Sequence, residues 1–129
     1  MELAPFEPLG MPPFEPIRLE RMDAKHIPIR SEVEDDPELQ DEVRDFVIGL
    51  AERVDVVQDA ETTRDLVQVE RLCADLARES DRLGFGPLAA VARVVCSACL
   101  EDKADVAQEA LVELTDVSRR IRLGHRGAA

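Results

Sequence analysis

The sequence predicts an all-α fold: an antiparallel four-helix bundle that follows an extended, proline-rich N-terminal segment. Apolar residues recur at intervals of three and four over most of the chain, and no segment alternates with a period of two. Short stretches with capping residues or glycine interrupt the pattern three times. The 129 residues suffice for one domain with one core. We assign residues 1–30 to the N-terminal segment, 31–124 to the bundle and 125–129 to a disordered tail.

The N-terminal segment holds six of the eight prolines. Because proline fixes φ and lacks an N–H group, we expect this segment to be extended rather than helical. The motif PFEP occurs at 5–8 and again at 13–16, so Phe6 and Phe14 are eight residues apart. These phenylalanines are candidates for docking on a partner or on the domain itself. A segment without stable structure is the alternative.

The first helix is predicted over 37–61. Ser31-Glu32-Val33-Glu34 has the pattern of a capping box for a short preceding turn. Asp36 then serves as the N-cap and Pro37 as the first helical residue. The residues expected to point inward are Leu39, Val43, Phe46, Val47, Leu50, Val54 and Val57.

Three further helices follow after short connections. Asp65 is the expected N-cap of the second helix, and Gly84 fits the position just after its end. Gly86-Pro87 begins the third helix, Asp102 caps the fourth, and Gly124 is expected to stop it. Expected inward residues are Leu66, Val69, Leu72, Cys73, Leu76, Ser80 and Leu83 in the second helix; Leu88, Val91, Ala92, Val95, Cys96 and Cys99 in the third; and Val106, Ala110, Leu111, Leu114, Val117 and Ile121 in the fourth.

The net charge of −12 is concentrated in one part of the chain. Residues 31–62 contain twelve acidic and only two basic residues. Such a field repels nucleic acid and anionic lipid and attracts basic partners, although it also suits a solvated face that aids solubility. No apolar run approaches the roughly 20 residues of a membrane span, and the first residues lack the pattern of a secretory signal. We therefore expect a soluble, cytoplasmic protein that binds neither nucleic acid nor membrane.

No constellation of residues predicts a metal site, a cofactor site or a catalytic site. Cys96 and Cys99 share a helix face, and Cys73 lies on the preceding helix, but no fourth zinc ligand is evident. We interpret all three as small apolar core residues. His26 and His125 fall outside the predicted helices, where solvated side chains are expected. Paired carboxylates such as Asp35-Asp36 are explained by helix-start chemistry.

The stretch LCADLARESDRLGF at 72–85, with the acidic helix before it, resembles the histidine phosphotransfer (Hpt) domains of two-component phosphorelays. The family signature is His-x-Leu-Lys-Gly, with a Gly-Phe pair that ends eleven residues after the histidine. Leu76 and Gly84-Phe85 keep that spacing. Ala74, however, stands in the place of the histidine, Ala77 in that of the lysine and Arg78 in that of the glycine. The resemblance covers Ser31 to about Leu100.

The resemblance implies a bundle that binds the family's partners without chemistry. A methyl group at position 74 cannot attack a phosphoaspartate, and Ala77 cannot neutralise phosphate oxygens. We therefore predict a non-catalytic module that binds a receiver domain or a histidine kinase. A helical wheel places Ala74, Ala77 and Arg78 on the solvent side. The predicted partner-binding residues are Val67, Glu70, Arg71, Ala74, Ala77, Arg78 and Asp81.

A structural or assembly protein is the alternative function. Such a protein would self-associate, or would bind a client through its acidic first helix or its two PFEP elements. Enzymatic activity is a weaker third interpretation, because no nucleophile converges with a general base.

Overall fold

The computed structural model describes residues 27–128 of the chain, with side chains as far as His125. The PFEP motifs, Phe6, Phe14 and His26 lie outside these residues. Within them the chain forms four helices and no strand: α1 (Gln40–Thr62), α2 (Leu66–Arg82), α3 (Gly86–Leu100) and α4 (Ala104–Ala128). Connections of three residues make successive helices antiparallel. Since α2 and α4 each lie between α1 and α3, the predicted all-α four-helix bundle is confirmed.

The first helix begins three residues later than predicted. Asp36 Oδ1 accepts a hydrogen bond from Glu38 N at 2.9 Å, but residues 37–39 form a turn and α1 starts at Gln40. Six of the seven residues predicted to point inward from α1 are buried, and Leu39 is half buried. The three-and-four spacing therefore identified the buried face of α1 correctly.

Two turn residues behave as the sequence predicts. Asp65 Oδ1 accepts a hydrogen bond from Gln68 N at 3.2 Å, which caps the first turn of α2. Gly84 follows the end of α2 with a φ of +81°. A side chain is disfavoured there for a second reason, because a Cβ atom would lie 2.8 Å from Ser31 Oγ and from Glu32 N. Gly84 thus serves both the turn and the close approach of the preceding segment.

Two predictions about α4 are wrong. Asp102 is not its N-cap: the residue has a φ of +59°, and its N–H group bonds the Cys99 carbonyl at 3.2 Å, so it closes α3 instead. Gly124 does not end the helix, and α4 continues to Ala128. Residues 125–128 are therefore helical rather than part of a disordered tail. Val106, predicted to point inward, is exposed, and Ala107 is buried in its place.

Gly124 contacts a segment that lies far away in the sequence. Residues 27–33, which we call the strap, cross the end of the bundle in a non-helical conformation followed by a turn. Ile29 N donates to the Arg120 carbonyl at 3.0 Å, and Arg120 Nε donates to the Ile27 carbonyl at 2.9 Å. A Cβ atom at Gly124 would lie 2.5 Å from the Ile29 oxygen. The glycine makes room for the strap rather than terminating the helix.

The strap is also fastened to the turn between α2 and α3. Ser31 Oγ donates to the Leu83 carbonyl at 2.5 Å, and Glu32 N donates to the Gly84 carbonyl at 3.0 Å. Ser31 Oγ accepts from Val33 N at 3.0 Å, but the carboxylate of Glu34 pairs with Arg30 instead of completing the predicted capping box. Residues 27–30, which we placed in the N-terminal segment, thus pack on the bundle.

The most extensive contact between helices joins α2 and α3, whose buried residues include many small side chains. Cys73, Ala77 and Ser80 are buried on α2, and Ala89 and Ala92 on α3. Since small side chains allow two helix axes to approach, α3 lies tightly along one flank of α2. We call this region the small-residue seam. On the α1 side the core is built from larger groups, including stacked Phe46 and Phe85 rings 5.6 Å apart.

Candidate functional site

The seven predicted partner-binding residues differ widely in exposure. Val67, Arg71, Arg78 and Asp81 are exposed, and 70% of Val67 is accessible. Glu70 and Ala74 are half buried. The structure therefore places six of the seven on an accessible surface, which we call the α2 face: Val67, Glu70, Arg71, Ala74, Arg78 and Asp81.

The prediction that Ala77 faces solvent is wrong, because Ala77 is only 4% exposed. The helical wheel assumed that α2 is covered on one side only. In the structure, α3 also covers the flank of α2 through the small-residue seam. The same seam brings Cys96 Sγ within 3.5 Å of the Glu70 carbonyl oxygen and leaves Ala74 half buried. Ala77 is a packing residue, and a long cationic side chain would not fit there without displacement.

Arginines around the C-terminal half of α2 are each matched by a carboxylate. Ion pairs join Arg78 to Asp75, Arg93 to Asp81, Arg53 to Glu79 at 2.6 Å and Arg82 to Glu42 at 3.0 Å. Most of these groups are well exposed, so each pair contributes at most about 1 kcal/mol to stability. The pairing leaves no excess positive charge, which is unlike the basic patch that nucleic acid requires.

Burial raises the pKa of all three described thiols. Burial, followed by the nearby thiols of Cys96 and Cys99, raises the pKa of Cys73 to about 12. Burial also raises the pKa of Cys96 and of Cys99, both of which are half buried. Because the thiolate is the nucleophile and the metal ligand, raised pKa values disfavour both roles. Among residues 27–128, no group of three or more His, Cys, Asp or Glu side chains is arranged to hold a metal ion.

Ser80 and His125 occupy different surroundings. Ser80 is fully buried, as predicted, and its hydroxyl has no hydrogen-bond partner within the part of the chain that the structure describes. His125 lies in α4, next to a cavity of about 220 Å³ under the strap that is also lined by Ile29, Val43 and Phe85. Neither side chain is accompanied by a nucleophile and base in hydrogen-bond contact, so neither indicates catalysis.

Sequence analysis named the acidic first helix as a candidate client-binding surface but missed the exposed aliphatic residues on it. Ile48 and Val56 are 67% and 45% exposed, although isoleucine and valine are usually buried. We define the α1 face as Ile48, Glu52, Asp55, Val56 and Asp59. The sequence contained a signal for this surface, because Ile48 and Val56 both fall outside the inward stripe of α1.

A groove of about 230 Å³ runs between the α1 face and α2. Its apolar lining consists of Val56, Val57, Leu72 and Leu76. Its charged lining residues are Glu52, Arg53 and Asp75. Arg53 is already engaged by Glu79 and also lies 5.6 Å from the centre of the Phe46 ring. The groove therefore combines an apolar floor with a largely acidic outer edge.

The carboxylates of α1 repel one another. Asp41 and Asp45 share Arg44, with N···O distances of 3.3 Å and 3.5 Å. Asp55 and Asp59 are four residues apart, and like Glu52 they have no ion-pair partner among residues 27–128. Like charges at this spacing destabilise a helix by about 0.2–0.5 kcal/mol per pair. The sequence thus retains a charge pattern that does not favour folding.

Comparisons with known proteins leave the family open. No family model, curated protein or solved structure matches this chain. Over residues 27–128, none of the helices has the length and apolar character needed to cross a membrane.

Proposed function

We propose that this chain is a non-catalytic cytoplasmic signalling module. It resembles an Hpt domain and binds a receiver domain or histidine kinase of a two-component phosphorelay without transferring phosphate. The observation that carries the proposal is Ala74, which is half buried and lies midway along a helix of a four-helix bundle. In the resemblance this is the place of the phosphate-accepting histidine, and a methyl group there has no nucleophilic atom.

The spacing around Ala74 supports the proposal. Leu76, two residues on, is buried in the core, and Gly84-Phe85 form the turn into α3 with Phe85 buried. These are the positions at which the sequence keeps the family spacing. Their structural roles explain how the scaffold persists without the chemistry of the histidine position.

The α2 face offers a mixed surface for docking. Val67 supplies exposed apolar area, Arg71 supplies a charge one turn away, and Arg78 and Asp81 supply charges towards the C-terminal end of α2. Leu100, 73% exposed at the C-terminal end of the neighbouring α3, adds an apolar residue that the sequence did not predict. Apolar residues ringed by charges are typical of protein-binding surfaces. The burial of Ala77 restricts the proposed surface to the six residues of the α2 face.

The test is to titrate receiver domains and histidine kinases from the same genome with the full chain, and to follow binding and phosphate together. A phosphorylated receiver is expected to bind and to keep its phosphate. Val67→Asp should weaken binding by about tenfold, which corresponds to about 1.4 kcal/mol. Val112→Asp is the matched control, because Val112 is 69% exposed but lies on α4.

Three results would contradict the proposal. The first is the absence of binding to any receiver or kinase although circular dichroism shows a folded helical protein. The second is an equal loss of binding in Val67→Asp and Val112→Asp. The third is transfer of phosphate to the wild-type chain, which would contradict its non-catalytic character.

The α1 face favours a second candidate function, which is binding of a client protein through the acidic first helix. The exposed aliphatic residues between unpaired carboxylates distinguish this face from an acidic surface that only contacts solvent. Self-association through the same face is disfavoured, because two copies would bring like charges together. The PFEP elements, which we also considered for this role, lie outside the described residues.

A further inference from the structure

We infer that the α1 face and the groove beside it form a docking site for a cationic amphipathic segment of another protein. One apolar side chain of that segment enters the groove, and its lysine or arginine residues lie against Glu52, Asp55 and Asp59. The inference rests on the second candidate function and names the chemistry of the client. It is independent of binding to receivers through the α2 face.

The apolar component combines two exposed aliphatic residues of α1 with the groove beside it. Ile48, Glu52 and Val56 are spaced at four residues and follow one side of α1. Val56 opens onto the groove, whose floor includes half-buried Leu72 together with buried Val57 and Leu76. Covering Ile48 and Val56 removes apolar surface from water, which provides a driving force for docking.

The charge of the site selects the occupant. Residues 31–62 have an excess of ten negative charges, and the carboxylates of Glu52, Asp55 and Asp59 have no ion-pair partner in the described range. A cationic segment relieves their mutual repulsion, whereas a second copy of this acidic chain or an anionic membrane surface increases it. Charge complementarity therefore favours a basic protein segment over either of these.

The size of the groove agrees with a side chain rather than a small-molecule ligand. Its volume of about 230 Å³ lies below the roughly 300–1,000 Å³ of pockets that enclose small molecules. It is also open to solvent, so the rest of the partner can remain outside. Amphipathic helices dock in this manner, with apolar anchors in a groove and charges at its edge.

The test uses the full chain and a synthetic amphipathic helical peptide made of leucine and lysine. Calorimetry gives the dissociation constant, and amide chemical shifts locate the binding surface. We expect the shifts to concentrate in α1 and the facing side of α2. Affinity should fall between about 0.05 M and about 0.3 M NaCl, because salt screens exposed charges. A peptide with glutamate in place of lysine should not bind.

Matched variants separate the site from general attraction. Val56→Ser should weaken peptide binding by about fivefold, and Val112→Ser on α4 should change it by less than about twofold. The double variant Glu52→Gln/Asp55→Asn should also weaken peptide binding, by about fivefold at low salt. The double variant Glu109→Gln/Glu113→Gln removes the same charge from α4 and should not weaken it. All variants should keep the helical circular dichroism spectrum.

The inference is overturned if the double variant in α1 and the double variant in α4 weaken peptide binding equally, since binding would then reflect net charge alone. Shifts centred on α3 or α4 would overturn it as well. The same α1 shifts produced by raising the protein concentration without peptide would assign the face to a second copy instead. Failure here leaves the receiver experiment unaffected, because Val67 and the α2 face lie outside the groove.

Discussion

The α2–α3 pair and α1 are built on opposite principles. Between α2 and α3, small side chains bring the helices close together, and residues 63–100 carry five acidic and five basic residues. In α1 the buried face consists of larger aliphatic and aromatic groups, the exposed face is acidic, and a groove remains beside it. The difference separates a closely packed region of balanced charge from one with an excess of unpaired carboxylates.

This contrast bears on the two proposed surfaces. On the α2 face, Arg78 and Asp81 are already paired with Asp75 and Arg93, so binding there must exchange existing ion pairs for new ones. The α1 face has unmatched charges and exposed aliphatic groups before any partner arrives. We therefore expect binding at the α1 face to depend more strongly on salt than binding at the α2 face.

The largest expected effect is at the turn that joins the close pair. Gly84→Ala should lower the free energy of unfolding by about 3 kcal/mol, because a φ of +81° disfavours a side chain and the Cβ atom would strike the strap. Gly86→Ala, two residues on, is the control, since no atom lies within 4 Å of its Cβ position. Urea unfolding measures both, and equal losses would contradict the role assigned to Gly84.

The second prediction tests how tightly α3 covers α2. Ala77→Lys should lower the free energy of unfolding by about 2–3 kcal/mol, because the side chain must leave the seam to reach water. Ala74→His, one turn earlier and half exposed, should cost less than about 1 kcal/mol. Thermal unfolding compares the two. Similar small losses of unfolding free energy in both variants would show that α3 does not cover Ala77 tightly.

The third prediction concerns the pH dependence of the same seam. Because burial raises the pKa of Cys73 from 9.0 to about 12, the folded state holds the thiol proton more strongly than the unfolded state. This contribution is fully present below pH 9 and is lost as the pH rises through 9 towards about 12. Between about pH 8.5 and about pH 11, the loss should reach about 2 kcal/mol.

Cys73→Ala provides the comparison for that measurement. It should have a flatter dependence of unfolding free energy on pH in the alkaline range, whatever its stability at neutral pH. Urea unfolding at several pH values gives both slopes. Parallel slopes in the wild-type chain and the variant would contradict a strongly buried thiol.

The smallest expected effect is on α1, where charge rather than packing is altered. Asp55→Lys replaces the like-charge pair with Asp59 by an opposite-charge pair, and should raise the free energy of unfolding by about 0.3–0.5 kcal/mol at low salt. The gain should vanish at about 1 M NaCl because the charges are exposed. A gain that persists in high salt would point to packing and not to electrostatics.

The sequence predicted the features that depend on neighbouring residues. The stripe from Val43 to Val57 is buried, Asp65 caps α2, and Gly84 has a left-handed backbone. Each of these follows from the periodicity of one helix or the geometry of one turn. The six exposed or half-exposed residues of the α2 face were found in the same way.

Features that involve distant parts of the chain were missed. Gly124 was expected to end α4, but the strap, more than ninety residues earlier, packs against it. Ala77 was expected in solvent, but α3 covers it. The groove beside Val56 needs residues from both α1 and α2, so no single-helix pattern could reveal it.

The sequence alone determined the helical class, the number of helices, the buried stripe of α1 and the concentration of charge in residues 31–62. These properties are local, since each helix carries its own periodicity and its own caps. Only the tertiary structure decided which flank of α2 is covered, where the strap lies and which apolar residues remain in water. Those outcomes depend on how closely neighbouring helices approach, and that distance is set by side chains on both helices at once.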